Sequence, residues 1–527
     1  MGDLDSQHTA QRLHHRVEIA RDQGHLSEAH CGSSRADASP PARRRRLRAC
    51  RALALALASW ACGGEGSRQA PLADHHFILI NVDTLRADHL GHHGYHRATS
   101  PFLDSLAEQA VVFERAIANS SFTRESVAAL LTGQLPSHSG SVGWRAAPAP
   151  GSPQLGELFR AAGYRTAFLS NTVMLRHPGF TRGFDVVQHL PKRWDLSGAG
   201  RQLSKRALEF ARGGSGPFLL YLHYLDPHAP YRPAPRHSLR FAERTLPTPA
   251  ALYTEVLPQL AALRRDGFGP GDPRFEDLVL RYDAEIAATD EALALLFRGL
   301  AEAGLLERSL VVITADHGEE FLEHGFVEHG WTLYQESIHV PLMFWAPPLL
   351  APARIEEPVS LVDVLPSALA LLGIEPGDAR LDGAPLFATG PEGVRPRPER
   401  RPQIAEVLIP RRNVARALIL GDWKYVSALR WHAPELRHAA QQRAPAALDL
   451  RAEPVREELY HLGLDPGETE NRIGDAPRVH RELRALLDAF VASSALDAAL
   501  PPAPAPPPED AERLRALGYL ETPAAAD

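Results

Sequence analysis

Ser121-Phe122-Thr123-Arg124-Glu125-Ser126-Val127-Ala128-Ala129-Leu130-Leu131-Thr132-Gly133 is the stretch on which the reading of this chain turns. Its first half is polar and its second half small and apolar, the pattern of a loop that becomes a buried helix. Gly133 ends the helix, because glycine adopts the left-handed conformation of a helix C-terminus without a Cβ penalty. Thr123 then falls at or just before the helix N-terminus. Unpaired backbone N–H groups and the positive end of the helix dipole point outward there. A hydroxyl in that place serves as an N-cap or as a nucleophile whose oxyanion is stabilised.

The segments around this stretch alternate between two periodicities. His76 to Val82 is a continuous apolar run that ends in Asp83, as a buried parallel strand would. Thr99-Ser100-Pro101 opens a helix with Phe102, Leu103, Leu106 and Ala107 on one face. Val111–Phe113, Thr166–Ser170, Pro217–His223, Ser309–Ala315 and Val340–Trp345 read as further strands, and Leu155–Ala162 as a helix. Tyr282, Ile286, Thr289, Leu293, Leu296, Phe297 and Leu300 recur at helical spacing, closed by Gly304. Strands alternating with helices predict an α/β domain with a mainly parallel sheet.

Composition bounds the rest. The 527 residues exceed one ordinary domain, and 44% apolar content supplies a core. A net charge of -7 gives no reason to expect a nucleic-acid partner. The 3 cysteines are Cys31, Cys50 and Cys62, so nothing that folds beyond them has a disulfide or a thiolate. Residues 1–42 are polar and without apolar periodicity. Arg43 to Arg48, the apolar run Ala52–Ala61 and Cys62-Gly63-Gly64 then follow in the order of a bacterial export signal. That run is too short to span a bilayer. Its cysteine suggests a lipoprotein attached to the membrane through lipidated Cys62, in the periplasm or outer envelope. Ser59 and Trp60 depart from the usual cleavage box.

Three divisions are expected: a leader over 1–75, a catalytic domain over 76–395, and a smaller α+β subdomain with a Pro-rich tail over 396–527. Residues 232–275 read as an irregular surface insertion and 386–403 as a linker. Arg416–Leu420 and Trp423–Ser427 read as strands, and Val479, Leu483, Leu486, Leu487 and Phe490 mark a last helix. Lys424 is a lesser site candidate or a solvated strand residue, and His92, His93 and His96 read as surface histidines on a Gly-containing loop.

Chemistry in open parallel sheets gathers at the carboxyl ends of strands. There lie Asp83, Asp316 and His317, with Thr123 at its helix N-terminus, and Asn171, His223, His228 and His329 nearby. Two carboxylates, an imidazole and a hydroxyl make a site for one hard or borderline divalent cation. Such a cation lowers the pKa of the Thr123 hydroxyl and polarises an ester oxygen. The histidines can neutralise an anion or protonate a leaving group.

In order and wording, Asn81-Val82-Asp83-Thr84-Leu85-Arg86-Ala87-Asp88, Leu130-Leu131-Thr132-Gly133, Gly163-Tyr164-Arg165-Thr166, Asp226-Pro227-His228-Ala229-Pro230-Tyr231, Asp316-His317-Gly318-Glu319 and Glu458-Leu459-Tyr460 resemble the sulfatase family of the alkaline phosphatase superfamily. The resemblance covers roughly residues 76–475. It implies an alkaline phosphatase-like α/β fold, with a mostly parallel central sheet flanked by helices. It implies hydrolysis of sulfate or phosphate esters, on a small-molecule, glycan or lipid substrate. The implied metal ligands are Asp83, Thr123, Asp316 and His317, for calcium, magnesium, manganese or zinc. His228 and His329 are implied as catalytic partners of Thr123, and His223 and Asn171 as substrate-binding.

The family's nucleophile, a Cys or Ser converted to formylglycine, falls at Thr123. Its Pro is Glu125 here and its Arg is Val127. Oxidation of threonine would give a ketone in place of the aldehyde, so no formylglycine is expected. An unmodified threonine favours phosphate esters. A phospho-head-group transferase of the cell envelope and a decayed, non-catalytic binding lipoprotein are the alternatives.

Overall fold

The computed structural model describes residues 72, 74–143, 147–190, 199–242, 266–347, 349–390, 393–409, 413–432 and 452–493. The expected leader and export signal, apart from Leu72, Asp74 and His75, lie outside them, as does the Pro-rich tail. No helix among the described residues is long and apolar enough to cross a membrane.

An eight-stranded sheet forms the centre. Its strands are β1 His76–Val82, β2 Val111–Phe113, β3 Arg165–Ser170, β4 Val186–His189, β5 Phe218–Tyr224, β6 Ser309–Thr314, β7 Leu342–Trp345 and β8 Ala353–Ile355. Their spatial order is β8-β2-β7-β6-β1-β5-β3-β4. Only β7 runs antiparallel to its neighbours, pairing Leu342 with Thr314 and Phe344 with Val111. Every residue of β1, β5 and β6 is buried, because the sheet is covered on both faces. The fold is thus the expected α/β fold.

Of the helices named next, all but the last flank this sheet, and the last packs on the second sheet described below. They are α1 Pro101–Ala107, α2 Thr123–Thr132, α3 Leu155–Ala161, α4 Ala199–Arg212, α5 Pro273–Glu302, α6 Val364–Leu372 and α7 Pro477–Ser493. α2 is buried along its whole length. Ala128 and Ala129 let it approach its neighbours closely. Gly133 ends it at φ 64°, with its N–H donating to the Ala129 carbonyl.

A second sheet, β9 Gln403–Leu408, β10 Val414–Leu420, β11 Trp423–Arg430 and β12 Arg456–His461, is antiparallel throughout. Its apolar face (Ile404, Leu418, Tyr425 and Leu459) packs with Ala129 of α2 and with Leu483 and Leu487 of α7. The helix that carries Thr123 is therefore clamped between the two sheets.

Five readings from sequence need correction. Residues 386–403 are not a linker: Phe387–Gly390 and Gly393–Pro396 form a hairpin, and Phe387 packs edge-on against Phe113 and Phe344. One buried aromatic outweighs the surrounding Pro and Arg. The run Val340–Trp345 is broken at Pro341, so His339–Val340 pairs with Ala116–Ile117 while β7 joins the central sheet. α5 begins inside the expected insertion, where the Asp272 side chain accepts the Arg274 N–H as an N-cap. Lys424 is wholly buried, in a 2.6 Å ion pair with buried Glu468. His92 and His93 are only partly exposed, and His92 is paired with Asp104 at 2.9 Å.

Candidate active site

The register of the central strands brings the candidate residues to one edge. Asn81 of β1 lies opposite His223 of β5 and Thr314 of β6, and Ser170 of β3 lies opposite His223. Each of these strands ends within one or two residues. Asp83, Asp316-His317 and Asn171 are thus set side by side at the carboxyl ends.

Asp83, Asp316 and His317 each offer a ligand atom, and these atoms all lie within 4.8 Å of one another. All three residues are buried. The His317 Nδ1–H donates to the Gly318 carbonyl at 2.9 Å, which leaves Nε2 as a lone pair in the neutral ring. That Nε2 lies 3.7 Å from Asp83 Oδ1 and 3.7 Å from Asp316 Oδ2. Both Asp316 oxygens are buried and accept no hydrogen bond. Converging carboxylates and a nitrogen lone pair repel one another unless a positive charge lies among them. These residues therefore fit a divalent cation.

Thr123 is the first residue of α2, and the N-cap is Phe122, which makes no side-chain cap bond. Thr123 is fully buried, and its hydroxyl lies 3.1 Å from His317 Nε2. The hydroxyl thus points at the convergence of the three ligands.

His223 is turned towards Asp83. Its Nδ1 lies 3.1 Å from both the Asn81 amide and the Tyr221 hydroxyl, and its Nε2 lies 3.1 Å from Asp83 Oδ2. Two donors at Nδ1 leave the proton on Nε2, which donates to the carboxylate. Burial holds the ring at about 4, against a smaller opposite pull from Asp316, so it is neutral at physiological pH. Asn171 bridges neighbouring strand ends: its Oδ1 accepts the Leu225 N–H at 2.7 Å, while its buried Nδ2 has no hydrogen-bond partner.

His228 and His329 complete a row of imidazoles. The His329 ring centre is 4.4 Å from that of His317 and 4.9 Å from that of His228. His228 Nδ1–H donates to the Ala229 carbonyl at 2.6 Å. His329 Nδ1 is held at 2.9 Å by Glu319, whose other oxygen accepts the Tyr231 hydroxyl at 2.9 Å. All eight candidate residues are buried, and the contacts above link seven of them directly; Asn171 joins through its backbone N–H, which donates to the His223 carbonyl at 3.3 Å.

Several supporting residues escaped the sequence reading. Asn81 and Tyr221 were visible only as polar groups inside apolar strands. Glu319 lies within the Asp316-His317-Gly318-Glu319 run, which carries no signal of its contacts with His329 and Tyr231. Glu125 is buried at the third position of α2, where its carboxylate accepts from Ser120 Oγ at 2.7 Å, Gly143 N at 3.0 Å and Leu408 N at 3.3 Å. Burial, opposed by those hydrogen bonds, pushes its carboxyl up to about 8. It ties the segment preceding Thr123 to the C-terminal sheet.

The family model described as Sulfatase matches residues 75–374. A curated relative, the ulvan-active sulfatase of Formosa agariphila, is 26% identical over 333 residues, covering 56% of this chain and 61% of the relative. The chain thus aligns with less than two thirds of that protein. Among solved structures, BT4656 in complex with its substrate D-glucosamine-2-N,6-O-disulfate is 20% identical with a TM-score of 0.62, covering 79% of this chain and 97% of the other. The phosphonate monoester hydrolase of Agrobacterium radiobacter is 19% identical with a TM-score of 0.61, covering 81% and 97%. Both likenesses carry the fold.

Proposed function

The chain belongs to the sulfatase family, and from that premise we propose that it is a metal-dependent ester hydrolase with Thr123 as its unmodified nucleophile. The observation that carries this reading is the 3.1 Å contact of the Thr123 hydroxyl with His317 Nε2, at the point where Asp83 and Asp316 converge. A bound divalent cation supplies Lewis acidity there, favouring the Thr123 alkoxide and drawing charge from an ester oxygen.

Thr123 Oγ attacks the phosphorus or sulfur centre and forms a covalent ester, which water then cleaves. The first-turn amides of α2 lie without intrahelical acceptors and favour the developing anion. The His228 and His329 rings, held at Nδ1 by the Ala229 carbonyl and by Glu319, stand in a row with His317 and bind the anion; with both nitrogens protonated, either ring can also give a proton to the leaving oxygen. Asn81 and His223 hold Asp83 in place.

Phosphate or phosphonate esters suit this nucleophile better than sulfate esters. A threonine alkoxide gives a simple phospho-enzyme, whereas the Cβ methyl prevents formation of an aldehyde. The donor set also favours manganese or zinc over calcium, which takes six to eight oxygen ligands and has little use for imidazole. Export, with attachment through lipidated Cys62, is part of the same reading and rests on the Arg43–Cys62 pattern. A Cys62→Ser chain that still incorporates labelled fatty acid would remove the attachment.

The test compares purified protein on 4-nitrophenyl phosphate, phenylphosphonate and sulfate esters, with each metal in turn. Turnover of at least one ester is expected, lost in Thr123→Ala and retained in part by Thr123→Ser. Turnover that survives Thr123→Ala unchanged would overturn the nucleophile assignment.

A further inference from the structure

Beyond the reacting centre, two neighbouring clefts share Arg97 and Ala98. The larger is about 470 Å³ and includes His92, Tyr95, Asp104 and Arg354 in its wall. The smaller, about 280 Å³, is lined by Arg97, Ala98, Arg240 and Phe241. None of Thr123, Asp83, Asp316 or His317 lines either one. Among the described residues no carboxylate lines the smaller cleft, while two guanidinium groups do.

Each arginine is held from behind and keeps donors in reserve. Arg97 Nη1 donates to buried Asp283 at 2.8 Å and to the Tyr95 hydroxyl at 3.0 Å. Its Nε and Nη2 have no acceptor among the described residues. Arg240 Nη2 donates to the Ala98 carbonyl at 3.2 Å, and its Nε and Nη1 are likewise unengaged. Arg240 makes no ion pair among the described residues, and it is exposed. A guanidinium carries five donors in a planar fork that matches an oxyanion. The larger cleft differs in kind. Its Asp104 is answered by the His92 backbone and ring and by Ser100 Oγ. It offers donors and acceptors together, which suits hydroxyl groups.

The clefts connect to the reacting centre through one continuous set of contacts. Asp283 holds both Arg97 and the His89 ring, the latter at 2.8 Å. Tyr282, the next residue back on α5, donates to the Thr84 carbonyl at 2.6 Å, and Thr84 follows Asp83.

We propose that Arg97 and Arg240 anchor an oxyanion group, a sulfate or a uronic-acid carboxylate, on a glycan whose neighbouring sugar hydroxyls occupy the larger cleft. This rests on the hydrolase reading above and narrows its substrate from any ester to an extended anionic glycan. The anchored group is not the reacting one, so it contributes to binding the chain and not to the bond that breaks.

The experiment reads binding and turnover separately. Binding is measured on full-length Thr123→Ala protein by fluorescence anisotropy. The probes are labelled κ-carrageenan hexasaccharide, an alginate hexasaccharide and the chemically desulfated carrageenan. At least one anionic probe is expected to bind, with Kd raised tenfold or more by Arg240→Glu and less than threefold by Arg240→Lys. The desulfated probe is expected to bind at least tenfold more weakly than its sulfated parent if sulfate is the anchored group, and alginate to bind if carboxylate is. Arg240 is exposed, so Arg240→Glu should melt with the wild type and turn over a small aryl ester at unchanged kcat and KM. Equal Kd for the wild-type side chain and Arg240→Glu, or no binding of either anionic probe, overturns the subsite. Loss of all ester turnover alongside Arg240-dependent binding instead defeats the hydrolase reading and leaves the subsite standing.

Discussion

The Ser126 hydroxyl donates a 2.6 Å hydrogen bond to the Asp316 carbonyl oxygen, and both residues are fully buried. One turn of α2 thus presents Thr123 to the reacting centre and also fixes the strand end that bears a ligand carboxylate. Ser126→Ala removes the donor and leaves the carbonyl unpaired. It should cost about 1–3 kcal/mol in urea unfolding. Metal affinity should fall by about tenfold or more, as when ligand-orienting partners are removed elsewhere. Unchanged metal affinity would show that the tie supports only the fold.

The ligand group makes metal removal a stability experiment. Asp83, Asp316 and His317 converge only in the folded chain, so a cation binds the native state and not the unfolded one. At about 100 times its Kd it should add about 2.7 kcal/mol to the unfolding free energy. A chelator should lower the melting temperature, and manganese or zinc should restore it more effectively than calcium. His317→Ala should abolish the metal-dependent rise. A chelator-insensitive melting curve, with wild type and His317→Ala alike, would argue that no cation is held.

What the sequence made legible and what it hid have separate physical causes. Asp83 and Asp316 end continuous apolar runs, and fully buried parallel strands write themselves as such runs. The strand ends then place the acids together without any knowledge of contacts. The role of His223 in holding Asp83 depends instead on which strand lies beside β1, a pairing that spans residues 81 to 223. Lys424 was misread for the same reason. Its partner Glu468 sits on a loop after β12, and a lysine in an alternating strand looks solvated until that loop folds over it. The reversed direction of β7 was hidden because a short apolar run reads the same way in both senses. Glu125 reads in sequence as a departure from a motif, whereas Ser120 beside it and the Gly143 and Leu408 amides farther along the chain give its carboxylate a place in the fold.

Lys424 and Glu468 form a fully buried ion pair at 2.6 Å, and Glu468 also accepts the Gln335 N–H at 2.6 Å. Gln335 lies a few residues beyond His329, so the pair braces the loop that carries a site histidine. Lys424→Ala strands a buried carboxylate and should cost about 3–5 kcal/mol. The double variant Lys424→Met, Glu468→Gln should be less damaging than the two single changes summed. A double-mutant cycle with no coupling would remove the pair as a brace.

His324 tests the same brace through pH. Its Nδ1 lies 2.6 Å from Glu336 Oε1 and its Nε2 3.2 Å from the Glu468 carbonyl. Both partners are acceptors, so both ring nitrogens donate and the ring is cationic. Burial opposes that charge, but the hydrogen bond and charge of Glu336, helped by Glu468, outweigh it and push the imidazole up to about 9. The unfolded value is near 6.5. The folded state therefore holds the proton more tightly. The stabilisation is fully present below about pH 6.5 and is lost as pH rises through about 9. It amounts to about 3 kcal/mol at pH 6. In urea unfolding, the stability gap between wild type and His324→Gln should shrink by about that much between pH 6 and pH 10. Using the gap cancels the titration of other groups. A gap that stays constant across this range would mean that the ring is neutral in the folded protein and that its bond to Glu336 carries no net charge.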